Sequence, residues 1–250
     1  MIASIIRRVV PERFRPIGYL THLVRQRTGC QVRQGPFADM RYVRDSIGSA
    51  YLPKLLGIYE RELSQYIEAV CAQRPSLIVD LGAGEGYYAV GLANRIPTAR
   101  LIAFEMDSIG RAAVAQMAAL NGVSERLEIR GKCEPLDLEE ALGDELRPVV
   151  VCDVEGYEDK LLDPVAVRAL HRATILVEVH EFVIPGITDK IYRRFAKTHL
   201  IEHIWQESRS RSDFPWRTLG TSLLPGSYLD WAVSEWRPER MSWLWMLPKN

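Results

Sequence analysis

The stretch Leu77 to Val90, LIVDLGAGEGYYAV, constrains this chain more than any other part of it. A short apolar run reaches Asp80 and then passes Gly82, Gly84 and Gly86 into a helical pattern. Such a run reads as a buried strand that ends in a tight corner, where glycines let the backbone come close to a ligand. The theme then repeats. ARLIAFE, RLEIRG, PVVVCD and TILVEV read as strands, separated by helical patterns over Tyr88 to Asn94, Ile109 to Asn121, Leu138 to Leu146 and Glu158 to Arg172. Strands alternating with helices of this length predict βαβ units around a parallel sheet, so residues 75–250 are expected to form a doubly wound α/β domain. A helix over 188–199, a strand at LIEHIWQ and a closing strand at MSWLWMLP complete it.

Residues 1–74 read differently, as an extension of helices and a short hairpin that serves as a lid or docking arm. A basic amphipathic helix is expected from Ile2 to Val10, stopped by Pro11, and an ordinary docking helix is favoured over one lying on a membrane surface. QVRQGPFADMRYV, from Gln31 to Val43, reads as two short strands about a Gly-Pro turn, and Tyr51 to Cys71 as one long amphipathic helix.

Composition removes several function classes. With 47% hydrophobic and 26% charged residues the 250-residue chain is neither disordered nor coiled-coil, and no apolar run is long enough for a membrane-spanning helix. Net charge is zero, with residues 1–74 at +6 balanced by the remainder, so a nucleic-acid partner is not expected. The four cysteines, Cys30, Cys71, Cys133 and Cys152, show no metal-binding spacing. The opening MIASIIRRVVP lacks the long apolar centre of a secretory signal, so a cytoplasmic protein with reduced thiols is expected.

The spacing of the corner selects its ligand. A dinucleotide site needs G-x-G-x-x-G, but position 87 is Tyr87. Glu85 would also set a negative charge beside any phosphates, and the Lys and Ser/Thr of a P-loop are missing. An adenosine ligand without phosphates and with a cationic centre fits better, and S-adenosylmethionine is that molecule. Glu105, nineteen residues after Gly86 at the end of the next strand, is placed to accept bonds from both ribose hydroxyls. The candidate cofactor residues are therefore Asp80, Gly82, Gly84, Gly86, Glu105 and Asp153, the last of which ends the fourth strand. Bland roles stand beside these: Asp80 as a cap of the glycine loop, Glu105 as a solvated strand end, Asp153 as a helix N-cap.

VDLGAGEGYYAV, FEMD at the second strand, NGV at Asn121 to Val123, CDVEGYE at Cys152 to Glu158 and LVEVHEF at Leu176 to Phe182 together resemble the FkbM-type family of S-adenosylmethionine-dependent methyltransferases. The resemblance spans roughly residues 77–182. It implies a Rossmann-like, seven-stranded class I methyltransferase sheet, mostly parallel with the last strand antiparallel. It also implies O-methylation of a hydroxyl on a saccharide or secondary metabolite. The chain departs from the family in having Met106, not proline, after Glu105.

Methyl transfer to a hydroxyl needs a group that takes the proton, placed at the C-terminal edge of the sheet. Asp153, Glu155, Glu178, His180 and Glu181 are the candidates there. His180, whose ordinary pKa lies near ~6.5, is favoured as a neutral general base, with Asp153 and Glu155 beside it. A magnesium ion held by Asp153, Glu155, Glu178 and Glu181 is the second scheme, and no metal ligand is assigned. Glu155 with Gly156 also reads as a mere turn, Glu158 as a residue favouring a helix N-terminus, Glu60 as an exposed helix charge, and Glu134 as a loop residue in reach of an adenine. His22, His171, His199 and His203 read as structural. Competing functions are an RNA or protein methyltransferase docking through residues 1–74, and a cofactor-binding module without catalysis.

Overall fold

The computed structural model describes residues 15–44 and 50–249; the helix expected over Ile2 to Val10 lies outside them. The chain divides into two compact units, Met1–Arg61 with Glu207–Arg237, and Glu62–Gln206 with Pro238–Asn250. This division does not follow the boundary expected after residue 74. Residues 62–74 belong with the sheet, and the Trp-rich stretch 207–237 joins the N-terminal part.

The second unit is built on seven strands: β1 (Leu77–Leu81), β2 (Arg100–Phe104), β3 (Leu127–Arg130), β4 (Val149–Cys152), β5 (Thr174–Val179), β6 (His199–Trp205) and β7 (Ser242–Pro248). Their order is β3-β2-β1-β4-β5-β7-β6. β1 to β5 pair in parallel, and β7 runs antiparallel to both β5 and β6, as expected for the closing strand. Every residue of β1, β4 and β5 is buried, the mark of central strands covered on both faces, which is why these segments read as nearly continuous apolar runs and not as alternation. Helices Tyr87–Arg95, Ser108–Asn121, Pro135–Leu142 and Ile187–Phe195 follow β1, β2, β3 and β5. The chain moves from β1 outward to β2 and β3, then returns to place β4 on the other side of β1. In open α/β sheets that reversal leaves a crevice at the carboxyl ends of the two strands.

Three expected elements are corrected. The single helix over Tyr51 to Cys71 is broken into Tyr51–Leu56, a 3-10 turn at Arg61–Leu63, and Ser64–Gln73. Gly57 is the cause: its φ is +68°, and a Cβ there would lie 2.0 Å from the Gln34 carbonyl oxygen. The helix over Glu158 to Arg172 shrinks to one turn, Glu158–Leu161, and a 3-10 stretch, Arg168–Arg172, because Pro164 between them cannot continue a helix. The hairpin at 31–43 is reduced to one antiparallel bridge, Gln31 to Arg41. Pro36 has no N–H to give and Asp39 takes a positive φ of 67°, so the reversal closes before a ladder can form.

The first unit contains helices Pro16–Thr28, Tyr51–Leu56, Leu219–Leu223 and Gly226–Val233. Trp231 lies on the last of these. Glu60 is not an exposed helix charge either. It is 3% exposed, paired with Arg237, and its backbone N–H donates to Glu235 Oε1 at 3.0 Å. Arg209 meets Glu235 at 2.8 Å beside it, so these buried charges neutralise one another. Among the described residues, no helix is long and apolar enough to cross a membrane.

Candidate functional site

The glycine corner stands at the end of β1, and its three glycines are there for three different reasons. Gly82, at φ +81°, passes so close to the end of β4 that a Cβ would sit 1.7 Å from the Asp153 carbonyl oxygen. Gly86, at φ +93°, precedes helix Tyr87–Arg95 and packs against Val90 and Val114. Gly84, at φ +56°, faces nothing within 4 Å. It is the glycine whose bare Cα meets open space, as a backbone approach for a ligand requires.

Glu105 braces this loop. Its Oε2 accepts from the Gly84 N–H at 2.8 Å and its Oε1 from the Asp107 N–H at 2.8 Å. The carboxylate is therefore fixed against the corner and is not a freely solvated strand end, and each oxygen retains a lone pair for a further donor. Gly110 allows this placement, since a Cβ there would lie 2.6 Å from Glu105 Cγ. Asp80 is buried at 3% exposure in β1, and Glu85 at 1% in the loop.

A second group of charges gathers where β4 and β5 end. His180, 1% exposed and just past β5, sets Nδ1 against an Oε1 of Glu158, which is itself 0% exposed. Nε2 of the same ring lies 3.5 Å from Asp153 Oδ1 and 3.4 Å from Glu155 Oε2. Burial opposes a charged imidazole, but Glu158, Asp153 and Glu155 outweigh it and hold His180 above its ordinary pKa. The shift runs against the neutral form expected of a free general base. The loop that carries the acids is tightly determined. Glu155 takes a left-handed φ of 49°, followed by Gly156 at 103°, where a Cβ would meet Val183 Cγ1 at 2.5 Å. Asp153 is not the N-cap of the following helical turn; Tyr157 occupies that position.

The remaining sequence candidates fall elsewhere. Glu181 turns away, accepting from the Gly186 and Thr188 N–H groups at 2.7 and 2.8 Å, at the start of helix Ile187–Phe195. Glu178 lies within β5, 1% exposed. His199 is structural, as expected: it is buried and its Nε2 hydrogen-bonds the Ala173 carbonyl at 3.0 Å. Glu158 is the residue whose part the sequence reading missed. Its position in DVEGYE was visible, but a carboxylate on a helical turn reads as solvated until the fold buries it.

Glu134 is committed to a surface cluster. Lys132 at 2.8 Å, Lys160 at 2.6 Å and the Tyr157 hydroxyl at 2.8 Å hold its carboxyl down to about 2 from the ordinary 4.5. A depressed carboxylate contributes stability that is present above its ordinary value and lost as pH falls through the depressed one. In carbon NMR the Glu134 carboxyl is accordingly expected to titrate near pH 2. A midpoint near 4.5 would mean that salt screening leaves the three partners without hold on this exposed group.

No family model matches the chain, and no curated protein matches it. Among solved structures, the O-methyltransferase TomG from Streptomyces achromogenes, described as involved in tomaymycin synthesis and in complex with SAM, is 15% identical. That match covers 100% of this chain and 96% of that one, with a TM-score of 0.48. The O-methyltransferase from Bacillus cereus in complex with SAH is 11% identical over 99% and 97% of the two chains, with a TM-score of 0.48. The N-terminal domain of human METTL16 is 12% identical over 90% and 81%, with a TM-score of 0.49. At these values the likenesses do not bear on what this chain does.

Proposed function

We propose that this protein is an S-adenosylmethionine-dependent O-methyltransferase acting on a hydroxyl of a saccharide or secondary metabolite, within the FkbM type that the DVEGYE block resembles. The observation that carries the proposal is the pairing of two features at the carboxyl ends of the central strands. One is a glycine corner with open space over Gly84, braced by Glu105 from β2. The other is the group of Asp153, Glu155 and His180 at the ends of β4 and β5. β4 lies directly beside β1, so both features belong to one edge of one sheet.

The residues fit the cofactor. The approach over Gly84 admits a flat nucleoside, Glu105 offers its lone pairs to hydroxyl groups, and Asp80 keeps a carboxylate beneath the corner. The absence of a third dinucleotide glycine at Tyr87 argues against a diphosphate. When bound, S-adenosylmethionine supplies a methyl group on a sulfonium, and what the protein must add is alignment and a place for the acceptor's proton. Asp153 and Glu155, partly and largely exposed beside the buried His180, are the groups that meet an incoming hydroxyl. A cytoplasmic setting and a small-molecule or glycan acceptor belong to the same proposal.

Calorimetry with S-adenosylmethionine tests the cofactor half. The wild-type chain is expected to bind with an affinity of its own, and Gly84→Arg, which fills the open approach, to lose at least about 100-fold, roughly 2.7 kcal/mol, while its circular dichroism is unchanged. Equal affinity in the two proteins would remove the cofactor from this corner.

A further inference from the structure

We propose that Asp153, Glu155 and His180 form a divalent-cation site on the acceptor side of the sheet edge. Each residue offers one ligand atom, and the three atoms all lie within 4.8 Å of one another. Metal–donor bonds of about 2.1 Å set neighbouring donors about 3 Å apart and opposite ones about 4.2 Å apart in an octahedron. The separations from His180 Nε2, 3.4 Å to Glu155 and 3.5 Å to Asp153, fall between those limits.

A cluster of acids on a surface loop would not by itself indicate a metal. What points to one here is the imidazole. His180 is 1% exposed, and its Nε2 makes no hydrogen bond with any described residue while aiming between two carboxylates. The other face of the ring explains the orientation. A fully buried Glu158 carboxylate against Nδ1 holds the ring so that Nε2 points at Asp153 and Glu155. A carboxylate, a histidine and then a cation, in that order, is the usual way in which an outer carboxylate fixes a metal-binding imidazole. A cation bound there takes the place of any proton on Nε2 and sets its positive charge among the three donors.

The donor set and its exposure suggest the kind of ion and its use. One imidazole nitrogen with two carboxylate oxygens suits a cation such as Mn²⁺ or Mg²⁺ better than a thiolate-seeking one. Side-chain exposure of 34% at Asp153 and 76% at Glu155 leaves one side of the site open to water or to an oxygen of another molecule. The use of that open side rests on the methyltransferase proposal; the binding of the ion does not. An acceptor hydroxyl coordinated there has its pKa lowered, its O–H bond breaks with the electron pair left on oxygen, and the proton passes to water. This set differs from the magnesium ligands expected from sequence, because Glu181 is bonded at the start of helix Ile187–Phe195 and Glu178 lies buried within β5.

The test uses the full chain and Mn²⁺, followed by the electron paramagnetic resonance signal of the free ion. One saturable Mn²⁺ per chain is expected, with affinity at least about 10-fold weaker in Glu155→Gln. Glu155 is largely exposed, so this variant keeps its fold. Glu158→Gln, which leaves all three donors in place, is expected to weaken Mn²⁺ by roughly 10–100-fold as the ring loses its anchor. No saturable binding, or equal affinity in wild type and Glu155→Gln, overturns the site. Calorimetry with S-adenosylmethionine on the same samples separates the two claims. Cofactor binding without Mn²⁺ binding removes the ion alone, whereas Mn²⁺ binding without cofactor binding removes the methyltransferase reading and leaves the ion in place.

Discussion

Replacing Gly82 by alanine is expected to cost more than about 4 kcal/mol of stability, while the same change two residues later, at Gly84, costs about 1–2 kcal/mol. Both glycines have positive φ, +81° and +56°, so both substitutions carry left-handed strain. The difference lies in what the added methyl meets. At Gly82 it would lie 1.7 Å from the Asp153 carbonyl oxygen and 2.8 Å from the carbonyl carbon, which are backbone atoms with no rotamer to escape into. They cannot retreat cheaply, because the Asp153 N–H donates to the Leu81 carbonyl at 2.9 Å and Leu81 pairs with Cys152 in the ladder. Relief would require unzipping the ends of β1 and β4. At Gly84 the methyl meets no atom within 4 Å, and only the backbone strain remains. Urea unfolding followed by tryptophan fluorescence reads both values. Two variants of equal stability would mean that β1 and β4 do not converge as closely as the glycine's placement requires.

That contrast also marks how far the sequence could be read. LIVDLGAGEGYYAV announced a strand, a corner and a helix, and the order of strands and helices gave the sheet, because buried parallel strands are written as nearly continuous apolar runs. The sequence did not separate the three glycines. Only contacts between segments distant in the chain show that Gly82 serves the β1–β4 junction and that Gly84 faces open space. The errors share this origin. The amphipathic periodicity from Tyr51 to Cys71 is real, but Gly57 breaks the helix where it meets Gln34, a partner more than twenty residues earlier. Glu60 reads as a surface charge until Arg237 arrives from the other end of the chain. Likewise His180 was legible as a polar residue at a strand end, but the three carboxylates around it come from the segment after β4, and their combined charge raises its pKa.

The second large effect is expected at Glu158, and it tests how that histidine is held. Glu158→Ala should destabilise the protein by about 3–5 kcal/mol, because removing one partner of a buried charged pair leaves the other without compensation. Glu158 is 0% exposed and His180 1%, so water cannot replace the lost acceptor at Nδ1 without opening the ends of β4 and β5. Asp153 and Glu155 do not substitute for it, since both approach the opposite nitrogen, Nε2. Glu158→Gln keeps a carbonyl oxygen of similar reach. It should lose only the difference between a charge-assisted and a neutral hydrogen bond, about 1–2 kcal/mol. The two substitutions therefore separate the acceptor from the charge. If alanine costs no more than glutamine, the imidazole is not anchored through Nδ1. The aim of Nε2 between Asp153 and Glu155 would then lose its physical cause, and the proposed cation site its fixed donor.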